Sequence, residues 1–141
     1  MASNKAKGTA YETRMVEFLR CALAASYSVR RPAQAGRYDV GDIHVADDVV
    51  IQCKDWANWS RATLGGWVRD VSKQAGHAGR TLGVVAVKRR REKGVSSGAA
   101  SDSLLVMDGA TFGELLSGYL AVPDLEVVPS RRVQALFPLN S

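Results

Sequence analysis

Short apolar runs and longer stretches with a 3.6-residue apolar period interleave along this chain, in the order helix, strand, hairpin, helix, strand, strand, helix. The sharpest pattern reads as a β-hairpin: Ile43-His44-Val45 as one strand, Ala46-Asp47-Asp48 as a polar turn, and Val49 to Lys54 as the returning strand. Upstream, a helix from about Ala10 to Ala25 gathers Tyr11, Met15, Val16, Phe18, Leu19, Ala22 and Leu23 on one arc, and Tyr27 to Arg31 reads as a strand stopped by Pro32. Downstream, Ser60 is placed to cap a helix over Arg61 to Ala78 whose Leu64, Trp67, Val68, Val71, Ala75 and Ala78 share a face. The pair Gly65-Gly66 should weaken or kink its first turns. Leu82 to Val87 is the near-continuous apolar run expected of a central strand covered on both faces, and Leu104 to Met107 reads as a further strand. Asp108 or Thr111 then caps a helix that turns Phe112, Leu115, Leu116 and Tyr119 inward.

No repeat and no second domain are visible, so the expectation is one α/β domain over 1–141, with a core of about 7–120 and a tail of about 121–141. That tail holds three prolines and a possible short helix with Val133, Leu136 and Phe137. Apolar residues make up 46% of the chain, yet no run approaches the roughly 18 needed to span a membrane. Met1-Ala2-Ser3-Asn4-Lys5 lacks the apolar centre of a signal peptide, so a soluble, cytoplasmic protein is expected, with no membrane partner. The two cysteines, Cys21 and Cys53, make neither a disulfide framework nor a zinc pair, and His44 and His77 have no ligand partner at metal spacing. A net charge of +5 favours an anionic partner such as nucleic acid.

The hairpin also carries the candidate chemistry. Side chains alternate along a strand, so Val50, Gln52 and Lys54 share one face while Ile51 and Cys53 share the other. Asp42 enters the partner strand, and folding the hairpin brings its carboxylate beside Gln52 and Lys54. An Asp oxygen with a Gln amide oxygen suits a hard cation such as Mg²⁺, with Mn²⁺ as substitute, and Lys54 could orient a water or neutralise charge on a phosphate. Asp39 competes for the Asp42 role from the preceding turn, and Gln74 is a further polar candidate.

An Asp, nine residues, then Gln-x-Lys after an apolar run resembles the signature of the PD-(D/E)xK nuclease superfamily, with Gln52 where Asp or Glu is usual. The Gln-x-Lys form is found in some branches, such as Mrr-like restriction enzymes. Lys7-Gly8-x-x-x-Glu12, ahead of that signature, is similar to the archaeal Holliday-junction resolvases of the same superfamily, in which this Glu belongs to the active site. Thr9-x-x-Glu12 also fits a capping box, the bland reading of the same carboxylate. The resemblance implies a restriction-endonuclease-like fold, a central mixed β-sheet flanked by helices on both faces. It further implies a Mg²⁺-dependent endonuclease cutting branched DNA such as a four-way junction, as a homodimer in recombination or repair; the compactness of the chain suits a phage-encoded form. In that reading Asp42, Gln52 and the Cys53 backbone carbonyl hold the ion, Glu12 completes the site directly or through water, and Lys54 positions the attacking water.

Candidates for gripping the DNA backbone are Lys7, Arg30, Arg31 and Arg37, the stripe Arg61, Arg69 and Lys73 with His77, and the run Lys88-Arg89-Arg90-Arg91 leading into a Gly/Ser-rich loop. Trp56 and Trp59 could stack on an unpaired base or pack at a strand end. Two rivals stand beside the resolvase: an Mrr-like restriction or repair nuclease, and a DNA-binding module that has lost cleavage with the Gln substitution.

Overall fold

The computed structural model describes residues 3–33, 36–90 and 99–120. Helix α1 spans Asn4–Ala22, because Ser3 caps it with a side-chain oxygen that accepts from the Ala6 N–H at 3.2 Å. It therefore begins before the expected Ala10. Lys5, Lys7 and Gly8 lie within its first turns, and Thr9 and Glu12 sit inside the helix, where no capping box can form. Strand β1 is only Val29–Arg30, shorter than expected, since the Tyr27 N–H turns back onto the Ala24 carbonyl at 2.9 Å and closes a turn there.

The hairpin forms where its alternation placed it, as β2 (Ile43–Val45) and β3 (Val49–Lys54). Helix α2 (Arg61–His77) follows, its Ser60 Oγ accepting from the Thr63 N–H at 3.1 Å, and it runs unbroken through Gly65-Gly66. Strand β4 (Leu82–Val87), a 3₁₀ turn (Ala100–Asp102), strand β5 (Leu104–Val106) and helix α3 (Gly109–Leu120) complete the described chain. The 3₁₀ turn ends what the sequence suggested was loop.

The five strands form one mixed sheet in the order β1-β2-β3-β4-β5. β1, β2 and β3 are antiparallel in succession, β4 lies parallel to β3 after the α2 crossover, and β5 returns antiparallel. Strand alternation gives the sheet two apolar faces. On one, Tyr11, Met15 and Val16 of α1 bury Val29, Ile43, Ile51, Val84 and Ala86. On the other, Trp67, Val71 and Ala75 of α2 bury Val50, Val85 and Val87. Helices thus cover both faces, and β4 is buried on both as its composition requires.

Helix α3 differs from its expected packing. Thr111 is buried and Leu115 packs on the α1-side cluster, whereas Phe112, Leu116 and Tyr119 are exposed, Phe112 at 56%. The cap explains the rotation: Asp108 Oδ1 accepts from the Thr111 N–H at 2.7 Å, turning Thr111 toward the sheet, and Leu115 follows one turn later on that face. No described helix is long and apolar enough to cross a membrane. Arg91, most of the Gly/Ser-rich loop and the tail with Val133, Leu136 and Phe137 lie outside the described residues.

α2 and β4 approach closely at Gly83, where an added Cβ would lie 2.8 Å from the Val71 carbonyl oxygen. That atom belongs to helix backbone and cannot rotate aside. Gly83→Ala is expected to destabilise the fold by about 1–3 kcal/mol through overpacking, measurable as a lower thermal midpoint.

Candidate functional site

β2 pairs with β3 only as far as Ile43 opposite Ile51, whereas β3 runs on through Gln52, Cys53 and Lys54, held on its other edge by β4. Asp42 occupies the edge that β2 leaves open. Its N–H donates to the Ile51 carbonyl at 3.0 Å, and its carboxylate Oδ2 accepts from the Cys53 N–H at 2.7 Å. The side chain thus takes the place of a missing strand partner. Backbone groups alternate in direction along a strand, and the Lys54 carbonyl turns to β4, where it accepts from the Lys88 N–H at 2.9 Å. The Cys53 backbone therefore faces Asp42.

Burial pushes the Asp42 carboxyl up from the ordinary carboxylate range, and the neighbouring Asp39 adds to this. The Cys53 N–H, Lys54 and Arg31 pull in the other direction without cancelling it. Glu12 is raised too, by burial and then by the charge of Asp42, against an ion pair with Arg31. Burial and the nearby Asp42 and Glu12 likewise push the Cys53 thiol up. Both carboxylates are penalised by desolvation, and the charge of Asp42 raises Glu12 further, with Arg31 the basic group that offsets both. Glu12, Arg31 and Asp42 line one cavity, and Lys7, Cys53 and Lys54 line another, with Gly8 of α1 in the wall of both.

Gln52 and Lys54 share the α2 face with Val50. Gln52 is 8% exposed, and its Oε1 is buried without a hydrogen-bond partner. A buried, unpaired amide oxygen is costly, and a cation could satisfy it. No hydrogen bond links it to Asp42. Lys54 Nζ stands 5.4 Å from the Trp67 ring centroid, a cation–π contact that fixes the ammonium near the strand end. The role of Trp67 as that platform was not legible in the sequence, where it read only as a core position.

Asp39 sits in a supporting bracket. Its carboxylate accepts from the Gln74 Nε2 at 2.7 Å and from the Gly41 N–H at 3.0 Å, and His77 Nδ1 lies 3.2 Å from its carbonyl oxygen. The bracket ties α2 to the loop that delivers Asp42. Gly41, at φ +83°, is required there: a Cβ would fall 2.2 Å from Val50 Cγ1.

The basic candidates divide by environment. Lys7, Arg30, Arg37, Arg61, Arg69 and Lys73 are exposed, and Arg31 is engaged by Glu12. Lys88 and Arg90 each meet Asp55 at 3.0 Å, and the Asp55 side chain is 4% exposed. Sequence reading missed Asp55. No signal within either strand pointed to it; the parallel register that sets Lys54 against Val87 brings the next residues, Asp55 and Lys88, side by side.

Among the described residues no group of three or more His, Cys, Asp or Glu side chains could hold a metal ion. The oxygen donors around the end of β3 are the Asp42 and Glu12 carboxylates, which line one cavity, the orphaned Gln52 oxygen on the α2 face and the Cys53 backbone carbonyl, oxygen types suited to a hard cation. No family model, curated protein or solved structure matches the chain.

The raised Asp42 pKa has a consequence for stability. A carboxylate with a folded-state pKa above its unfolded value destabilises the fold at neutral pH, and that penalty disappears below both values. Asp42→Asn keeps an acceptor for the Cys53 N–H and removes the charge. It is expected to raise the thermal midpoint at pH 7.5, with the gain shrinking as pH falls through the carboxylate range. Thermal scans from pH 4 to 8 check both parts.

Proposed function

We propose that this chain is a Mg²⁺-dependent DNA endonuclease of the PD-(D/E)xK type, acting on branched DNA such as a Holliday junction. The observation that carries the reading is the partly buried Asp42 carboxylate held on the Cys53 N–H at the end of β3, sharing a cavity with Glu12, on the strand that also carries Lys54 and the unpaired Gln52 oxygen. A mixed sheet with helices on both faces supports a restriction-endonuclease-like core.

In this reading Asp42, Gln52 and the Cys53 carbonyl would hold the ion, with Glu12 reaching it directly or through water. Bound there, Mg²⁺ supplies Lewis-acid neutralisation of charge growing on the phosphate and acidifies water. The water oxygen bonds to phosphorus as a bridging P–O bond breaks, the water loses a proton to solvent and the leaving oxygen gains one. Lys54, held over Trp67, positions that water and compensates the developing negative charge. Arg31 restrains Glu12 until a cation or phosphate competes for one of them. Exposed cations on α2, Arg61, Arg69 and Lys73, are suited to the duplex backbone. A homodimer would set two such sites on opposed strands.

The neutral Gln52 favours one rival, a module that binds DNA without cutting it. A labelled four-way junction and a linear duplex, incubated with Mg²⁺ or Mn²⁺, decide between them. The wild type is expected to make paired symmetric nicks across the junction, and Lys54→Ala to lose at least about 100-fold in rate. Salt-sensitive binding with no cleavage sensitive to Lys54→Ala would establish the module instead. Cleavage of the linear duplex as efficiently as the junction would favour an Mrr-like enzyme.

A second measurement isolates the ion. A ligand present at about ten times its Kd stabilises a fold by roughly 1.4 kcal/mol. Mg²⁺ is expected to raise the thermal midpoint of the wild type and leave that of Asp42→Asn unchanged.

A further inference from the structure

Between the ends of β3 and β4 lies a cavity lined by Trp56, Asn58, Trp59, Lys88, Arg89 and Arg90. Two large aromatic side chains are exposed here, Trp56 at 53% and Trp59 at 40%, although the same short segment is anchored on both sides. Trp56 packs edge-on to Trp67 with ring centroids 5.4 Å apart, and Ser60 begins α2 with its cap. The cations opposite are also held in place. Asp55 accepts from Lys88 Nζ at 3.0 Å, while Arg90 Nη2 donates to its carboxylate at 3.0 Å and to its backbone carbonyl at 3.2 Å. One buried carboxylate is shared by two cations, so these three groups together stay net positive.

We propose that this cavity is a subsite for an unpaired DNA strand, with bases stacking on Trp59 and Trp56 and the phosphates meeting Lys88 and Arg90. Exposed aromatic faces beside fixed cations match the two parts of a nucleotide, a flat base and a phosphate. Every base has a π-face, so stacking needs no particular sequence, and Asn58 adds an amide able to bond a base edge. A paired duplex cannot use the subsite, because its bases are already stacked on each other. The location fits the same ligand: Trp56 and Arg90 also line the adjoining cavity that contains Lys54 and Lys7. A strand seated on the tryptophans continues toward the lysine of the candidate site. Trp67 joins the two regions, touching Trp56 by its edge and lying under Lys54.

This inference rests on the nuclease reading and names the strand that reading requires at a branch point, yet its test needs neither metal nor cleavage. The full chain is titrated in EDTA against fluorescein-labelled oligo(dT), a hairpin duplex of the same length, and oligo(rU), with binding read by anisotropy. Trp59→Ala is expected to weaken oligo(dT) binding roughly 5- to 100-fold, the range for loss of one stacking partner, and duplex binding less than about twofold. Trp59→Phe should retain most of the affinity, since a smaller ring still stacks. Equal losses on oligo(dT) and duplex, or no loss on oligo(dT), would overturn the subsite. Tighter binding of oligo(rU) than of oligo(dT) would overturn its assignment to DNA. A chain that passes this test but never cleaves DNA would lose the nuclease reading and keep the strand-binding site.

Discussion

The hydrogen bond from the Cys53 N–H to the Asp42 carboxylate is the contact on which the site depends. β3 outruns β2, and the backbone of Cys53 would otherwise face an open edge. An aspartate satisfies that edge with a charged oxygen, which a backbone carbonyl from a longer β2 would have done without charge. The substitution of a side chain for a strand partner brings a carboxylate into a partly buried place, next to α1 and its Glu12. Burial raises the pKa of Asp42, Glu12 and Cys53, and the charge of Asp42 so placed raises Glu12 and Cys53 further. The need for Gly41 descends from the same placement, since only a residue without a Cβ can turn the chain so close to Val50.

The surroundings hold this charged edge in place from three directions. Arg31 takes Glu12, the bracket of Gln74, Gly41 and His77 takes Asp39, and Trp67 takes Lys54. Each restraint leaves something unsatisfied. Gln52 and Gln74 both keep a buried amide oxygen without a partner, and Asp42 retains a carboxyl that is easier to protonate than it would be in water. Unpaired acceptors and crowded carboxylates are unfavourable in a resting protein and useful in one that takes up a cation. The same logic of a buried charge organising exposed ones recurs at Asp55, whose two basic partners flank the tryptophan shelf.

Much of this was legible in the residues, and the exceptions have physical causes. The bounds of β2, β3 and β4 followed from alternation and from an apolar run bounded by polar residues, signals internal to each strand. The start of α1 did not, because a capping serine lies ahead of a polar first turn that carries no apolar period. α3 was assigned the wrong face because apolar residues surround it on most sides, so the cap on Thr111, rather than the sequence wheel, decided its rotation. The positions of Asp42 and Lys54 near the end of β3 could be read from the hairpin pattern. The Glu12–Arg31 pair, the Asp39–Gln74 contact and the Lys54–Trp67 contact could not, since each joins elements whose relative placement only the packed sheet determines.

We propose that the end of the β2–β3 hairpin holds a divalent cation. A crystal soaked in Mn²⁺ and measured at a wavelength where manganese scatters anomalously reads this directly. The account predicts one anomalous peak about 2.0–2.6 Å from a carboxylate oxygen of Asp42, with Gln52 Oε1 and the Cys53 carbonyl oxygen as further ligands. A well-ordered site with no peak there, or with manganese bound only elsewhere on the surface, would contradict it.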